Sequence, residues 1–242
     1  MLVSFIIPAH NEELQLPRTL SAIGTTAARL AIDHEIIVAD DASTDRTPLL
    51  SRDMGATVVT HERRQIAATR NLGARAARGE VFFFIDADTT VNERSVGQAL
   101  DALTRGAAGG GGPVRFDGVV PVYARALLPT LNVLFRMAQL AGGCFFFCTR
   151  DAFHRSGGWD ESLYASEEIT FAAALKKVGR FEIVREPVQT SGRKLRTHSG
   201  GEILNILLKG AFSRALMGNR LVKSREGLEL WYGPRRKDPG EP

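Results

Sequence analysis

The chain has 242 residues, 44% hydrophobic and 24% charged, which suits a globular protein able to bury a core without staples. A formal charge of +4 and a sequence pI of about 9.3 suit an anionic ligand or an anionic membrane surface. With no zinc-finger spacing and no aromatic-interleaved basic motif, they argue against nucleic acid.

Two cysteines, Cys144 and Cys148, are spaced C-x-x-x-C, neither a metal quartet nor a redox pair. Free buried thiols in a reducing compartment are expected. The sequence begins on a strand-like run with no basic leader, and no stretch offers the ~20 uninterrupted apolar residues of a spanning helix. A cytoplasmic protein is expected, with attachment to the inner face of the cell membrane left open.

In chain order, residues 3–7 form a buried strand and residues 8–13 the turn after it. Leu16, Leu20 and Ile23 mark a helix over 14–30. A second strand, 35–39, ends in Asp40 and Asp41, and Thr47 with Pro48 opens another helix. A third strand covers 56–60, a helix covers 65–78, and a fourth strand covers 81–85. Strand–helix alternation at this spacing implies a mostly parallel sheet with helices on both faces. Ligands then collect at the carboxyl ends of the strands.

The fourth strand ends abruptly in Asp86 and Asp88. Period-two geometry puts both carboxylates on one side of the chain, where a hard cation such as Mg²⁺ could bridge them to a phosphate. A turn rich in Asp and Thr is the bland alternative. The glycine-rich run 106–112 reads as a flexible loop. Residues 119–140 are largely apolar but carry Arg125 and Arg136. They read either as a membrane-surface helix or as a core or dimer helix. A strand over 142–147 and a helix over 169–178 follow, then short strands over 181–184 and 187–190. Residues 191–198 form a basic loop. An amphipathic helix over 202–216 and a frayed polar end over 234–242 complete the chain.

The runs Ile6-Ile-Pro-Ala-His-Asn-Glu12, Val38-Ala-Asp-Asp-Ala-Ser-Thr-Asp45, Arg70-Asn-Leu-Gly73 and Asp86-Ala-Asp88 occur in this order. Gly157-Gly-Trp-Asp-Glu161 and Glu167-Glu168 follow. Together they resemble the family 2 glycosyltransferases, the inverting GT-A class, over about residues 3 to 190. The resemblance implies an α/β fold: a Rossmann-like, mostly parallel sheet flanked by helices, with acceptor-side helices toward the C-terminus. It implies a nucleotide-sugar half over 1–105, an acceptor half over 106–232 and a polar tail over 233–242. It also implies transfer of a sugar from a nucleoside-diphosphate-sugar, UDP or GDP, to an acceptor hydroxyl on a saccharide or a lipid-linked molecule.

On this resemblance Pro8, His10, Asn11 and Glu12 would hold base and ribose, and Asp41 would accept from the base. Arg70 would face the diphosphate, with Arg193, Lys194 and Arg196 as further clamps. Asp88, with Asp86 nearby, would hold Mg²⁺ or Mn²⁺, and His198 would be a further metal ligand. Glu168 would be the general base, with Glu167 in reserve. Members usually carry Glu-Asp here, so the longer side chain of this Glu-Glu pair leaves open which acid acts. An acidic first turn of a helix is the bland reading of the pair, and turn or cap duty that of Asp40 and Asp45.

Two other readings compete with this one. Residues 82–90 match the Asp-x-Asp-x-Thr pattern of haloacid-dehalogenase-like phosphatases, with Asp86 as nucleophile, but that reading leaves the turn after the first strand without a role. The second rival is a nucleotide-sugar-binding protein that has lost catalysis.

Overall fold

Phe82, Phe83 and Phe84 are fully buried and point alternately to opposite faces of one sheet. A strand covered on both faces needs apolar residues at every position, which is why this run is continuous rather than alternating. The computed structural model describes residues 1–202, 223–225, 228, 232–233 and 238.

The first half runs β1 (Val3–Ala9), α1 (Leu16–Arg29), β2 (His34–Asp41), α2 (Thr47–Asp53), β3 (Thr57–His61), α3 (Ile66–Ala76), β4 (Val81–Ile85), β5 (Thr89–Thr90) and α4 (Glu93–Thr104). The second half runs β6 (Ala107–Gly111), β7 (Val114–Phe116), α5 (Val122–Met137), β8 (Phe145–Thr149), α6 (Arg150–Ser156), α7 (Glu167–Val178), β9 (Arg180–Ile183), β10 (Val188–Thr190) and α8 (Arg193–Thr197). A seven-stranded sheet has the order β3-β2-β1-β4-β8-β6-β9, and β5-β10-β7 form a small second sheet. The four strands β1 to β4 are parallel to one another, as expected. β8 then enters antiparallel to both β4 and β6.

One face buries Leu20 and Ile23 of α1 and Val96 and Ala99 of α4 against Phe5 and Phe83. The other packs Ala67 and Ala74 of α3 and Phe171 and Leu175 of α7 against Phe82, Phe84 and Phe146. An Asn92–Ser95 capping box starts α4, an element the sequence reading leaves unassigned.

Several expectations need correction: most of the basic loop expected over 191–198 is α8, and the strand expected over 142–147 is β8, which starts at Phe145 and ends at Thr149. The glycine run 106–112 is not a flexible loop; most of it is β6, held between β8 and β9. A Cβ on Gly109 would lie 2.7 Å from the Phe147 carbonyl oxygen, and one on Gly110 would run into the Glu182 carbonyl. These glycines answer close strand packing, not flexibility. The stretch 119–140 is not a core helix, because α5 has no buried residue. The tail is not frayed at Asp238, whose buried carboxylate pairs with Arg196 at 2.6 Å. The helix expected over 202–216 lies, beyond Glu202, outside the described residues. Both cysteines are free and buried.

Candidate active site

The polar runs expected at the strand ends meet at the carboxyl edge of β1, β2 and β4. The loop after β1 is laced to the loop after β2. Asn11 N donates to Ser43 Oγ at 2.8 Å, Thr44 N donates to Asn11 Oδ1 at 2.7 Å, and Glu12 N donates to Thr47 Oγ1 at 2.7 Å. His10 Nδ1 lies 2.6 Å from the Asp41 carbonyl oxygen. Asn11, Ala42, Arg64 and Ser166 all adopt positive φ without being glycine. Such backbone strain clusters at ligand sites, and no residue pattern announces it.

Asp41 is largely committed to the fold. Its carboxylate accepts from Arg64 N and Gln65 N, both at 2.7 Å, which ties it to the start of α3. Its neighbour Asp40 accepts from Ser43 N, while Asp40 Oδ1 is buried without a hydrogen-bond partner among the described residues. For Asp40 the sequence offers turn or cap duty as the bland alternative, and the resemblance names only Asp41 for the base. Asp45 accepts from Thr47 N at 2.9 Å, the turn duty expected of it just before α2.

Arg70 is the hub of the floor. α3 carries it under the sheet edge, 1% exposed. Nη1 donates to Glu167 Oε1 at 3.0 Å, and Nη2 donates to Asp86 Oδ1 and to the Gly143 carbonyl, each at 2.9 Å. The guanidinium stacks 4.4 Å from the Trp159 ring centroid, and Trp159 in turn stacks on Phe171. The neighbouring Asn71 donates to the Trp159 carbonyl at 2.8 Å, so two motifs distant in sequence lock together. Burial disfavours the charged guanidinium, but Asp86 and Glu167 outweigh it and hold Arg70 above its ordinary range. Arg70, which the resemblance implies would face a diphosphate, is thus already paired with carboxylates in the fold.

α7 begins at Glu167, two residues earlier than expected, so both acids lie in its first turn. Glu167 is buried in the pair with Arg70. Glu168 is half-buried and makes no ion pair among the described residues. Burial and then the Glu167 charge push its carboxyl up to about 7. Gly143 keeps the space beside it open: a Cβ there would meet Arg70 Nη2 at 3.4 Å and Glu168 Cβ at 3.9 Å.

Asp88 is stitched to β10 through Thr190 Oγ1 at 3.4 Å and through Ser191 N, which donates to its carbonyl. Burial, then the carboxylates of Glu12 and Asp86, push the Asp88 carboxyl up to about 6, against the pull of Lys194 and Arg193. Arg193 Nη2 lies 3.3 Å from Glu12 Oε1 and 3.9 Å from Asp88 Oδ2.

Crowded oxygen donors of one sign suit a hard divalent cation shared with phosphate oxygens. Among the described residues no group of three or more ligating side chains is preassembled. The fit is thus to a cation held by one or two carboxylates and by substrate. His198 joins no such group, and its Nδ1 sits 3.0 Å from Thr197 Oγ1. Arg196 is occupied elsewhere, by Asp238 and by the Asp117 carbonyl at 2.8 Å. Arg193 and Lys194 are the cations of α8 beside Asp88.

A family model described as Glycosyl transferase family 2 matches residues 4–157. The 4,4'-diaponeurosporenoate glycosyltransferase of Staphylococcus haemolyticus is 36% identical over 108 residues, covering 42% of this chain and 27% of that protein. The undecaprenyl-phosphate 4-deoxy-4-formamido-L-arabinose transferase of Aeromonas hydrophila is 31% identical over 113 residues, covering 43% and 34%. The chain thus spans about a third or less of the length of these curated relatives. The mannosyltransferase PcManGT from Pyrobaculum calidifontis, solved with GDP-Man and Mn²⁺, superposes with a TM-score of 0.66 at 22% identity, covering 96% of this chain and 72% of that one. This likeness establishes the GT-A fold. The family match takes in more than half of the 242 residues, Arg70, Asp86 and Asp88 among them, and the chain belongs to glycosyl transferase family 2.

Proposed function

We propose that this chain performs metal-dependent, inverting transfer of a sugar from a nucleoside-diphosphate-sugar, with UDP or GDP as carrier, to an acceptor hydroxyl. The observation that carries the reading is the split between the two acids that open α7. Arg70 neutralises Glu167 at 3.0 Å, while Glu168 keeps a carboxyl pushed up to about 7. A base works best when its pKa lies near the operating pH.

Glu168 takes the proton from the acceptor hydroxyl as that oxygen attacks the anomeric carbon. The bond from that carbon to the diphosphate breaks on the opposite face, so the configuration inverts, as with the water-activating base of inverting glycosidases. Asp88 with Asp86 would hold Mg²⁺ or Mn²⁺, which when bound neutralises charge on the leaving diphosphate. Arg193 and Lys194 add positive charge on the same side. Pro8, His10, Asn11 and Glu12 shape the base and ribose cleft, with the Asp40–Asp41 pair at its floor. The open acceptor on Asp40 supports a base contact from this pair as much as Asp41 does. Asp86 already accepts from Arg70, and no observation favours a phosphatase using it as a nucleophile.

The test is thermal unfolding with UDP, GDP and their common sugar conjugates, each with Mn²⁺ or with chelator. Binding to the native state alone raises the midpoint by mass action. A metal-dependent rise with one nucleotide, lost in Asp88→Asn, is expected. No rise with any of them would contradict the reading.

A further inference from the structure

None of the sixteen residues of α5 is buried. Ala124, Leu128 and Asn132, four apart, form its half-buried inward stripe. Asn132 fastens the helix to β7, donating to the Val114 carbonyl at 2.9 Å. The outward face presents Val122, Leu127, Leu131, Leu134 and Met137, with Met137 76% exposed, and Val119 just before the helix is 85% exposed. Arg125 and Arg136 stand about three turns apart and therefore on one flank of this face.

We infer that α5 is a membrane-docking helix, lying along an anionic bilayer with its apolar face at the acyl boundary and both arginines among the headgroups. At about 24 Å the helix is shorter than the ~30 Å hydrocarbon core, so it can lie on a membrane but not cross it. Among the described residues no helix is long and apolar enough to span. The charge pattern selects the occupant. From Gly118 to Arg150 the sequence has no Asp or Glu. A second copy docking here by two-fold symmetry would set arginines against arginines with no acid on the face to meet them. An anionic lipid surface supplies the missing charge. A second acid-free stretch, 203–225, contains Lys209, Arg214, Arg220, Lys223 and Arg225 among apolar residues and repeats this composition.

The helix is also joined to the site. β7 pairs with β10, whose Thr190 reaches Asp88, and the Tyr123 ring lies beside Gly200, just after α8. On the transferase reading, a docked α5 brings the site rim to headgroup level, where an acceptor hydroxyl on an amphiphile would meet Glu168. The docking itself rests on α5 and not on that reading.

The test is co-sedimentation of the full chain with vesicles of phosphatidylcholine alone and with about a third phosphatidylglycerol. Binding to the anionic vesicles that weakens with salt is expected. Arg125→Glu with Arg136→Glu should weaken it about tenfold or more. Leu127→Glu with Leu134→Glu, at exposed positions, should abolish it while leaving any nucleotide-dependent thermal shift intact. No binding by the wild-type chain, or binding undiminished from wild type in both variants, would overturn the inference. So would a dimer in sedimentation equilibrium that the leucine variant dissociates, since the face would then belong to a second copy. Vesicle binding without any nucleotide shift would support docking and count against the transferase reading alone.

Discussion

The floor of the site and its rim use the same kinds of acid and leave them in opposite states. On the floor, Asp86 and Glu167 share one buried guanidinium, which also serves the Gly143 carbonyl and stacks on Trp159. On the rim, burial and neighbouring acids push Glu168 and Asp88 up to about 7 and about 6. A closed network holds shape, whereas unbalanced charge at a cleft edge is ready for a proton, a cation or a diphosphate. The division of labour runs through one turn of α7, between two adjacent residues of the same type.

The largest effect should come from breaking the floor. Arg70→Met leaves Asp86 and Glu167 beside an uncharged neighbour, and stability in urea unfolding should drop by about 3–5 kcal/mol. Adding Glu167→Met should recover part of that loss, because the pair is then removed rather than broken. A double variant as unstable as the sum of its singles would mean that the two residues act independently.

How much of this can be read from residues alone depends on how far away the reason lies. The Phe82–Phe84 run and the acids after it declare a buried strand and a polar edge locally. One partner of Arg70, Glu167, lies 97 residues away, so the resemblance suggests a phosphate contact at a residue that the fold already pairs with carboxylates. The Arg196 partner Asp238 sits in a tail that composition alone marks as loose. Gly109 and Gly110 look like a flexible loop because the carbonyls they make room for, on Phe147 and Glu182, belong to strands far along the chain. Gly110→Ala should therefore cost about 1–3 kcal/mol by overpacking a central strand, again read by urea unfolding. A neutral substitution would restore the loop reading of that segment.

The smallest effect concerns the rim and its dependence on pH. Glu168 has its carboxyl raised from 4.5 to about 7 in the fold. Between those values the native chain keeps a proton that the unfolded chain has lost, so this group lowers stability as pH rises through that window. Glu168→Gln should flatten that part of the stability–pH curve, whereas Glu167→Gln, which breaks the pair with Arg70, should lower the whole curve. An unchanged slope in Glu168→Gln would remove the distinction between rim and floor at this position.

The most direct test of the central claim is single-turnover release of sugar from whichever UDP- or GDP-sugar shifts the melting temperature, compared in Glu168→Gln and Glu167→Gln. Loss of a general base slows transfer by about 10²–10⁴-fold. Glu168→Gln should show that loss with donor affinity unchanged, and the wild-type rate should fall as pH drops below about 7. Full activity in Glu168→Gln, with the loss appearing in Glu167→Gln while that variant remains folded, would contradict the account and move the base to the other acid.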